Sequence, residues 1–391
     1  MAVRFISASN NSIVSEQNAS DVNRSYTIKD ESTSLKTLAF SRDENERLLY
    51  INYPESILPT TKCFANPNDG NKYLFRTTLK ANETVQLFFS HHNRTGSNIN
   101  YAILVYNPNG GTTARVTASN FGYEHGWNSA EFDPWIDFYN GNLTYKDITG
   151  GTSKFLLDWR NIPSSSDPFS GIMRIESNYD VTLTVYAWKG TDTSVMDGAA
   201  SETQFPYSKT INYSDYDENI DKAPNQKYTG IGKGYYLTTN NTVTYSDVNS
   251  KTGGVYYALA NCSTQNSNEI IPIAISGTSY EAKKGAASPL NNLGNWGAQY
   301  QFKTTLDNRN NSTSQTFRCY IGRNYEEGKF VIKHGNNIGY CSMGLSSSTV
   351  GNAYKWNFLE VTVPAGKTED VIFQLVHATC SSSPIYLQWT K

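Results

Sequence analysis

The segment Ala298-Gln-Tyr-Gln-Phe-Lys-Thr-Thr-Leu306 decides the fold class. Ala298, Tyr300, Phe302, Thr304 and Leu306 alternate with Gln299, Gln301, Lys303 and Thr305. Successive side chains on a strand point to opposite faces, so this period of two describes a strand with one face buried. The same grammar recurs outward from it. Thr84–Phe89, Tyr101–Tyr106, Val255–Leu259, Ile270–Ile275, Lys329–Lys333, Phe358–Val363 and Val371–Val376 all have strand length and β-branched or aromatic content. Ile172–Ser177 and Val181–Trp188 flank Asn178-Tyr-Asp180, which predicts a β-hairpin with an Asn/Asp turn. Asn66-Pro-Asn-Asp-Gly70, Asn107-Pro-Asn-Gly-Gly111 and Lys333-His-Gly-Asn-Asn337 punctuate the strands as turns.

Helical periodicity is almost absent. Ser41–Leu49 is expected to make at most one short helical turn. Many short strands between turn signals imply antiparallel sheets packed face to face. The predicted fold is therefore all-β, with two antiparallel β-sandwich domains of jelly-roll or Ig-like type in tandem behind a short N-terminal arm. The expected boundaries are an arm over 1–30, a first sandwich over 31–190, a polar linker over 191–233 and a second sandwich over 234–391.

The chain has 391 residues and a formal net charge of -2, with only 17% charged residues against roughly 25% in an average soluble protein. Aromatics make up 13%, with 27 tyrosines. Near-neutral charge argues against whole-molecule attraction to nucleic acid or anionic lipid. The supply of aromatic and β-branched residues argues against disorder. No apolar run reaches the roughly 18–20 residues of a membrane-spanning helix. The first residues, Met1-Ala-Val-Arg-Phe-Ile-Ser7, lack the apolar core of a secretory signal. An extracellular, cell-surface, spore-surface or virus-like-particle setting would then need a leader outside this sequence, an export route that uses none, or release by lysis.

Candidate sites follow from residue chemistry. The densest aromatic stretch runs from Phe121 to Tyr139 and reads as a long loop. Tyr123, Trp127 and Trp135 could stack on sugar rings while Asp133 and Asp137 bind hydroxyls. The plainer reading is that these aromatics are buried, and a subunit interface would also use them. Asp215, Asp217, Asn219 and Asp221 alternate as in the start of a calcium loop. Ile220 and Gln226 stand where an EF-hand needs Gly and Glu, so only a looser Ca2+ site or a solvated linker fits. No other cofactor is implied. His91-His92 ends a strand with the rings on opposite faces, a poor chelating pair.

Gly366-Lys-Thr368 lacks the earlier glycine of a phosphate loop, since position 361 is Val361. No catalytic constellation is legible, so the expectation is a non-enzyme. The five cysteines form no zinc pattern. Cys319 shares a strand face with Phe317 and Ile321 and reads as a small buried hydrophobe, or as a disulfide partner of Cys341 or Cys380. Asn-X-Ser/Thr sequons, among them Asn82, Asn93 and Asn142, are expected by chance in so Asn-rich a chain. Val3 and Phe5 lie on a short strand that could add to a neighbouring subunit's sheet; an unanchored tail is the plainer reading. Leu79–His91 echoes Val363–His377 as similar β-hairpin chemistry, at different positions in the two halves.

The composition resembles that of fibrous surface proteins of bacteria and viruses. The expected function is a structural or assembly subunit of a cell, spore or particle surface, such as a fibre, appendage or coat. Its partners would be copies of itself or other surface proteins. The alternatives are a carbohydrate-binding or adhesive protein using 121–139, and a β-rich secreted toxin.

Overall fold

A computed structural model describes residues 2–5, 22–23, 35–43, 45–52, 55–60, 73–126, 129–191, 229–250, 253–259, 271–274, 290–292, 295–323, 328–343, 354–378 and 385–391. The described chain is all-β, with 25 strands and two short helices in four sheets.

Five short strands come first: β1 (Ala2–Phe5), β2 (Val22–Asn23), β3 (Leu35–Lys36), β4 (Arg47–Ile51) and β5 (Ser56–Ile57). Eight consecutive strands follow: β6 (Phe75–Leu79), β7 (Thr84–Asn93), β8 (Ile99–Tyr106), β9 (Thr113–His125), β10 (Leu143–Thr149), β11 (Ser153–Ile162), β12 (Pro168–Ser177) and β13 (Val181–Trp188). Helix α1 (Ser129–Asn140) lies between β9 and β10. Next come β14 (Thr229–Lys233), β15 (Tyr236–Thr244), helix α2 (Tyr245–Asn249), β16 (Val255–Leu259), β17 (Ile271–Ala274) and β18 (Leu290–Asn292). The last seven are β19 (Gln299–Asp307), β20 (Gln315–Arg323), β21 (Gly328–His334), β22 (Asn337–Met343), β23 (Tyr354–Val363), β24 (Thr368–His377) and β25 (Ile385–Thr390).

Two compact units divide this chain, and neither is continuous in sequence. A central unit takes Glu44–Tyr235 and Pro272–Asn292; a terminal unit takes Met1–Asp43, Tyr236–Ile271 and Leu293–Lys391. The polar stretch before residue 234 ends in β14, which pairs with β4 and β17 inside the central unit.

In the central unit, β6–β13 switch sheets at nearly every turn. One sheet runs β11-β8-β13-β6; the other contains β10-β9-β12-β7 and continues through β4, β14, β17 and β18. Counted within the eight, the sheets read six-three-eight-one and five-four-seven-two, the interleaved order of a jelly roll. Leu49, Leu87, Phe89 and Met173 of the larger sheet meet Ile103, Val105 and Leu183 of the smaller in one buried core. Removing each such side chain from water contributes roughly 1.5–3 kcal/mol.

The terminal unit repeats this connectivity. Its sheets contain β23-β20-β25-β16 and β22-β21-β24-β19. Numbered from β16 and omitting β17 and β18, these are again six-three-eight-one and five-four-seven-two. Strand β15 is added in parallel beside β19, just as β4 is added in parallel beside β7. The sheets join through Phe358 of β23 and Phe373 of β24, 5.1 Å apart, and Tyr300 and Phe302 of β19 stack into the same core. The alternation holds from Tyr300 to Leu306, with Tyr300, Phe302, Thr304 and Leu306 fully buried, whereas Gln299, expected on the wet face, is buried too.

Several local expectations are corrected. Strands β12 and β13 do not pair: β12 lies between β7 and β9, whereas β13 lies between β6 and β8. Asn178-Tyr-Asp180 therefore carries the chain from one sheet to the other, because both strands are needed at the centre of opposite sheets. The end of the Ser41–Leu49 stretch is strand β4 and not helix, since Leu48 and Leu49 are buried and pair in parallel with β7. Leu79–His91 is β6 into β7, the first and second strands of their roll. Val363–His377 is β23 into β24, the sixth and seventh of theirs, so the segments differ in position as expected, but neither is a hairpin, because the two strands of each lie in opposite sheets.

The abundant asparagines do structural work. Buried Asn107 donates to the Ile148 carbonyl at 2.9 Å and accepts from the Asn109 backbone at 3.0 Å. Buried Asn308 donates to the carbonyls of Thr313, Val363 and Pro364. An Asn amide satisfies backbone groups that a turn leaves outside the ladder.

Candidate interaction site at the helix and edge strand of the central unit

The stretch expected as an aromatic loop is instead the end of β9, helix α1 and the start of β10. Gly126, at φ +121°, closes β9, and the Ala130 amide donates to the Gly126 carbonyl to begin the turn. Pro134 has no amide proton to give the Ala130 carbonyl. The buried Ser170 hydroxyl of β12 donates to that carbonyl instead. At the far end Gly141, at φ +82°, releases the chain into β10. The Asn120 amide holds the Phe138 carbonyl at 2.9 Å.

Phe132, Trp135, Ile136, Phe138 and Tyr139 are buried, leaving a narrow stripe at Asp133, Asp137 and Asn140. That stripe has the i, i+4, i+7 spacing of a helix face. The helix backbone reaches β9 at Gly122, where an added Cβ would stand 2.4 Å from the Pro134 carbonyl oxygen and 2.7 Å from Asp137 Cβ. The Arg174 guanidinium lies over the Phe138 ring.

This geometry separates the residues singled out from the sequence. Trp135 is 1% exposed and packs on Phe138 at 5.3 Å, so it is a core side chain and offers no stacking face. Tyr123 follows Gly122 and so faces away from the helix; it rests 5.0 Å from Trp159 of β11 and is 37% exposed. Asp133 and Asp137 stay on the helix side. Desolvation, then the charge of Glu124, raises the pKa of both carboxyls, and Asp137 adds to the effect on Asp133. Trp127 lies outside the described residues. The four described residues are not brought together on one surface.

Asp215, Asp217, Asn219, Asp221 and Cys380 lie outside the described residues. Among the described residues no group of three or more His, Cys, Asp or Glu is placed to hold a metal ion. His91 lies 3.5 Å from the Tyr101 hydroxyl, while His92 meets the Ser166 carbonyl at 2.7 Å. Cys319 is a buried free thiol on β20 and Cys341 is buried on β22 of the other sheet, so no disulfide joins them. Val3 and Phe5 lie on β1, which pairs with β23 of the same chain, Val3 opposite Val361 and Phe5 opposite Leu359. The strand expected to reach a neighbouring subunit is placed at the edge of its own sheet. No described helix is long and apolar enough to cross a membrane.

Sequence reasoning missed the feature that stands out most. Strand β10 ends its sheet, and it carries Leu143 at 67% and Tyr145 at 54% exposure on one face. Arg115 of β9 lies 4.7 Å over the Tyr145 ring and binds Asp147 through Nε and a terminal nitrogen at 2.8 and 3.0 Å. The pairing of β10 with β9 is unbroken from Leu143 to Thr149. Strand β11, which ends the smaller sheet, is different. Its register slips twice, and it exposes Lys154 and Asp158. Irregularity and charge are the usual guards of a sheet edge. Residues 142–145 read in sequence only as a sequon and a short apolar-polar alternation.

No protein-family model matches the sequence, and none of the curated proteins matches it. Similar solved structures include the PBSX exported protein XepA, at 11% identity over 83% of this chain and 87% of that one, with a TM-score of 0.17. They also include the tandem CBM22 domains of Xyn10C from Paenibacillus barcinonensis, at 11% identity over 78% and 82%, with a TM-score of 0.14. An oxalate decarboxylase aligns at 10% identity over 81% and 67%, with a TM-score of 0.11.

Proposed function

We propose that this protein is a non-catalytic structural subunit of a cell, spore or particle surface, acting through protein–protein contacts. One observation carries the reading: a regular terminal strand, β10, presents two large apolar side chains, Leu143 and Tyr145, to solvent. An edge strand of this kind is a template for pairing with another chain. Low charge and jelly-roll units suit close packing of many copies. Light scattering and electron microscopy of the purified full chain test the reading. Stable oligomers, rings or fibres are expected, and a strict monomer at high concentration overturns it.

A second reading, glycan binding, draws on the half-exposed Tyr123 ring seated on Trp159. A sugar ring could stack on that pair. Glycan-array screening with Tyr123→Ala and Trp159→Ala tests it; absent binding, or binding indifferent to both changes, removes it.

A further inference from the structure

We infer that the first residues of β10, Leu143–Tyr145, pair with the same residues of a second copy, antiparallel, about a two-fold axis passing through Thr144. The inference rests on the assembly reading and names its contact.

Three observations lead there. The first is contrast within the central unit: of its two neighbouring terminal strands, β11 slips register twice, while β10 is unbroken and exposes two large apolar side chains beside its charged Lys146 and Asp147. The second is contrast between the units. Strand β22 occupies the position in the terminal unit that β10 has in the central one, yet of its side chains from Asn337 to Cys341 none is an exposed large hydrophobic. Its neighbour β21 reaches it through a tight turn, with no helix between. The exposed pair is therefore not a by-product of the fold.

The third is self-complementarity. A two-fold axis perpendicular to the sheet keeps each side chain on its own face and opposes residues equally spaced about the axis. With the axis at Thr144, Leu143 of each copy stands opposite Tyr145 of the other, so both exposed apolar side chains are covered twice over. Thr144 then faces Thr144, and Asn142 faces Lys146, pairings that a sheet accepts. An axis at Tyr145 would set each Leu143 against Asp147, which Arg115 already holds. An axis at Lys146 would oppose two ammonium groups, a destabilising cross-strand pair. Matching of apolar area and charge thus selects one register.

The test uses the full-length protein. Sedimentation equilibrium compares it with the double variant Leu143→Lys/Tyr145→Lys, whose folding is checked by circular dichroism. At least tenfold weaker self-association is expected. A second, milder variant, Thr144→Cys, places two thiols across the axis, where opposed strand residues lie about 4.5–5.5 Å apart between Cα atoms, within disulfide range. Gentle oxidation should give a dimer whose 144–144 linkage is read by mass spectrometry, while Tyr179→Cys gives none. If the wild type assembles but the double variant associates equally well, or no 144–144 linkage forms, pairing through β10 is overturned and the assembly reading stands. If the wild type is strictly monomeric, both fall.

Discussion

Gly122 of β9 touches the backbone of α1 at Pro134, and the strand can hold the helix that closely only because it has no side chain there. Any Cβ would meet the Pro134 carbonyl oxygen at 2.4 Å, a backbone atom that cannot swing aside. Gly122→Ala should therefore lift α1 from the sheet and cost about 1–3 kcal/mol, the usual penalty for overpacking. A lowered midpoint in urea, together with altered near-ultraviolet dichroism from Trp135, is the expected reading. An unchanged midpoint would show that the helix is not held at this distance.

The exposed stripe of the same helix makes stability depend on pH. Burial, then Glu124, raises the carboxyl pKa of Asp133 and Asp137 above the ordinary value of 3.8. The folded state keeps these protons to a higher pH than the unfolded chain does. Acidification through that window favours folding, and ionisation above it costs stability. Asp133→Asn and Asp137→Asn should each raise the thermal midpoint at about pH 7, with the gain vanishing near about pH 3, where both states are protonated. Calorimetry across pH reads this directly; equal effects at both pH values would contradict it.

Asn107 and Asn308 anchor turns from inside. Replacing either by Ala strands carbonyls of Ile148, or of Thr313, Val363 and Pro364, without their donor. Each loss should cost about 1–3 kcal/mol, the penalty of an unsatisfied buried group. Exposed Asn140, at the end of α1, serves as the comparison, and its replacement should leave the urea midpoint nearly unchanged.

The Cys319 thiol sits fully buried on β20, and burial pushes its pKa well above the ordinary thiol value. Thiolate is the reactive form. Alkylation followed by peptide mapping should leave Cys319 unlabelled in the native protein and label it after denaturation. Rapid native labelling would mean that β20 opens far more readily than its central place in the sheet implies.

Strand identity was legible wherever one face is wet and the other dry, as in Ala298–Leu306, because a period of two survives in the sequence. The helix was not. Glu131, Asp133, Asp137 and Asn140 interrupt its apolar residues without marking a wide polar face, and the Ala130 carbonyl that Pro134 leaves without a donor is met by Ser170, a residue far away in sequence. The spacing of 133, 137 and 140 was the one available signal. The same limit hid the edge strand. Leu143 and Tyr145 alternate as any half-buried strand would, and nothing local says which side faces water.

The sequence by itself determined that the chain folds as sheets. Side-chain alternation, turn residues and the scarcity of charge are local properties, and each strand carries its own. Only the tertiary structure decided which strands pair, that β12 and β13 part into opposite sheets, that Trp135 is core while Tyr123 is surface, and that β10 has no strand beyond it among the described residues. Those outcomes depend on which distant segments compete for the same apolar face. Burial is settled by the whole set of neighbours, whereas a sequence window contains only its own.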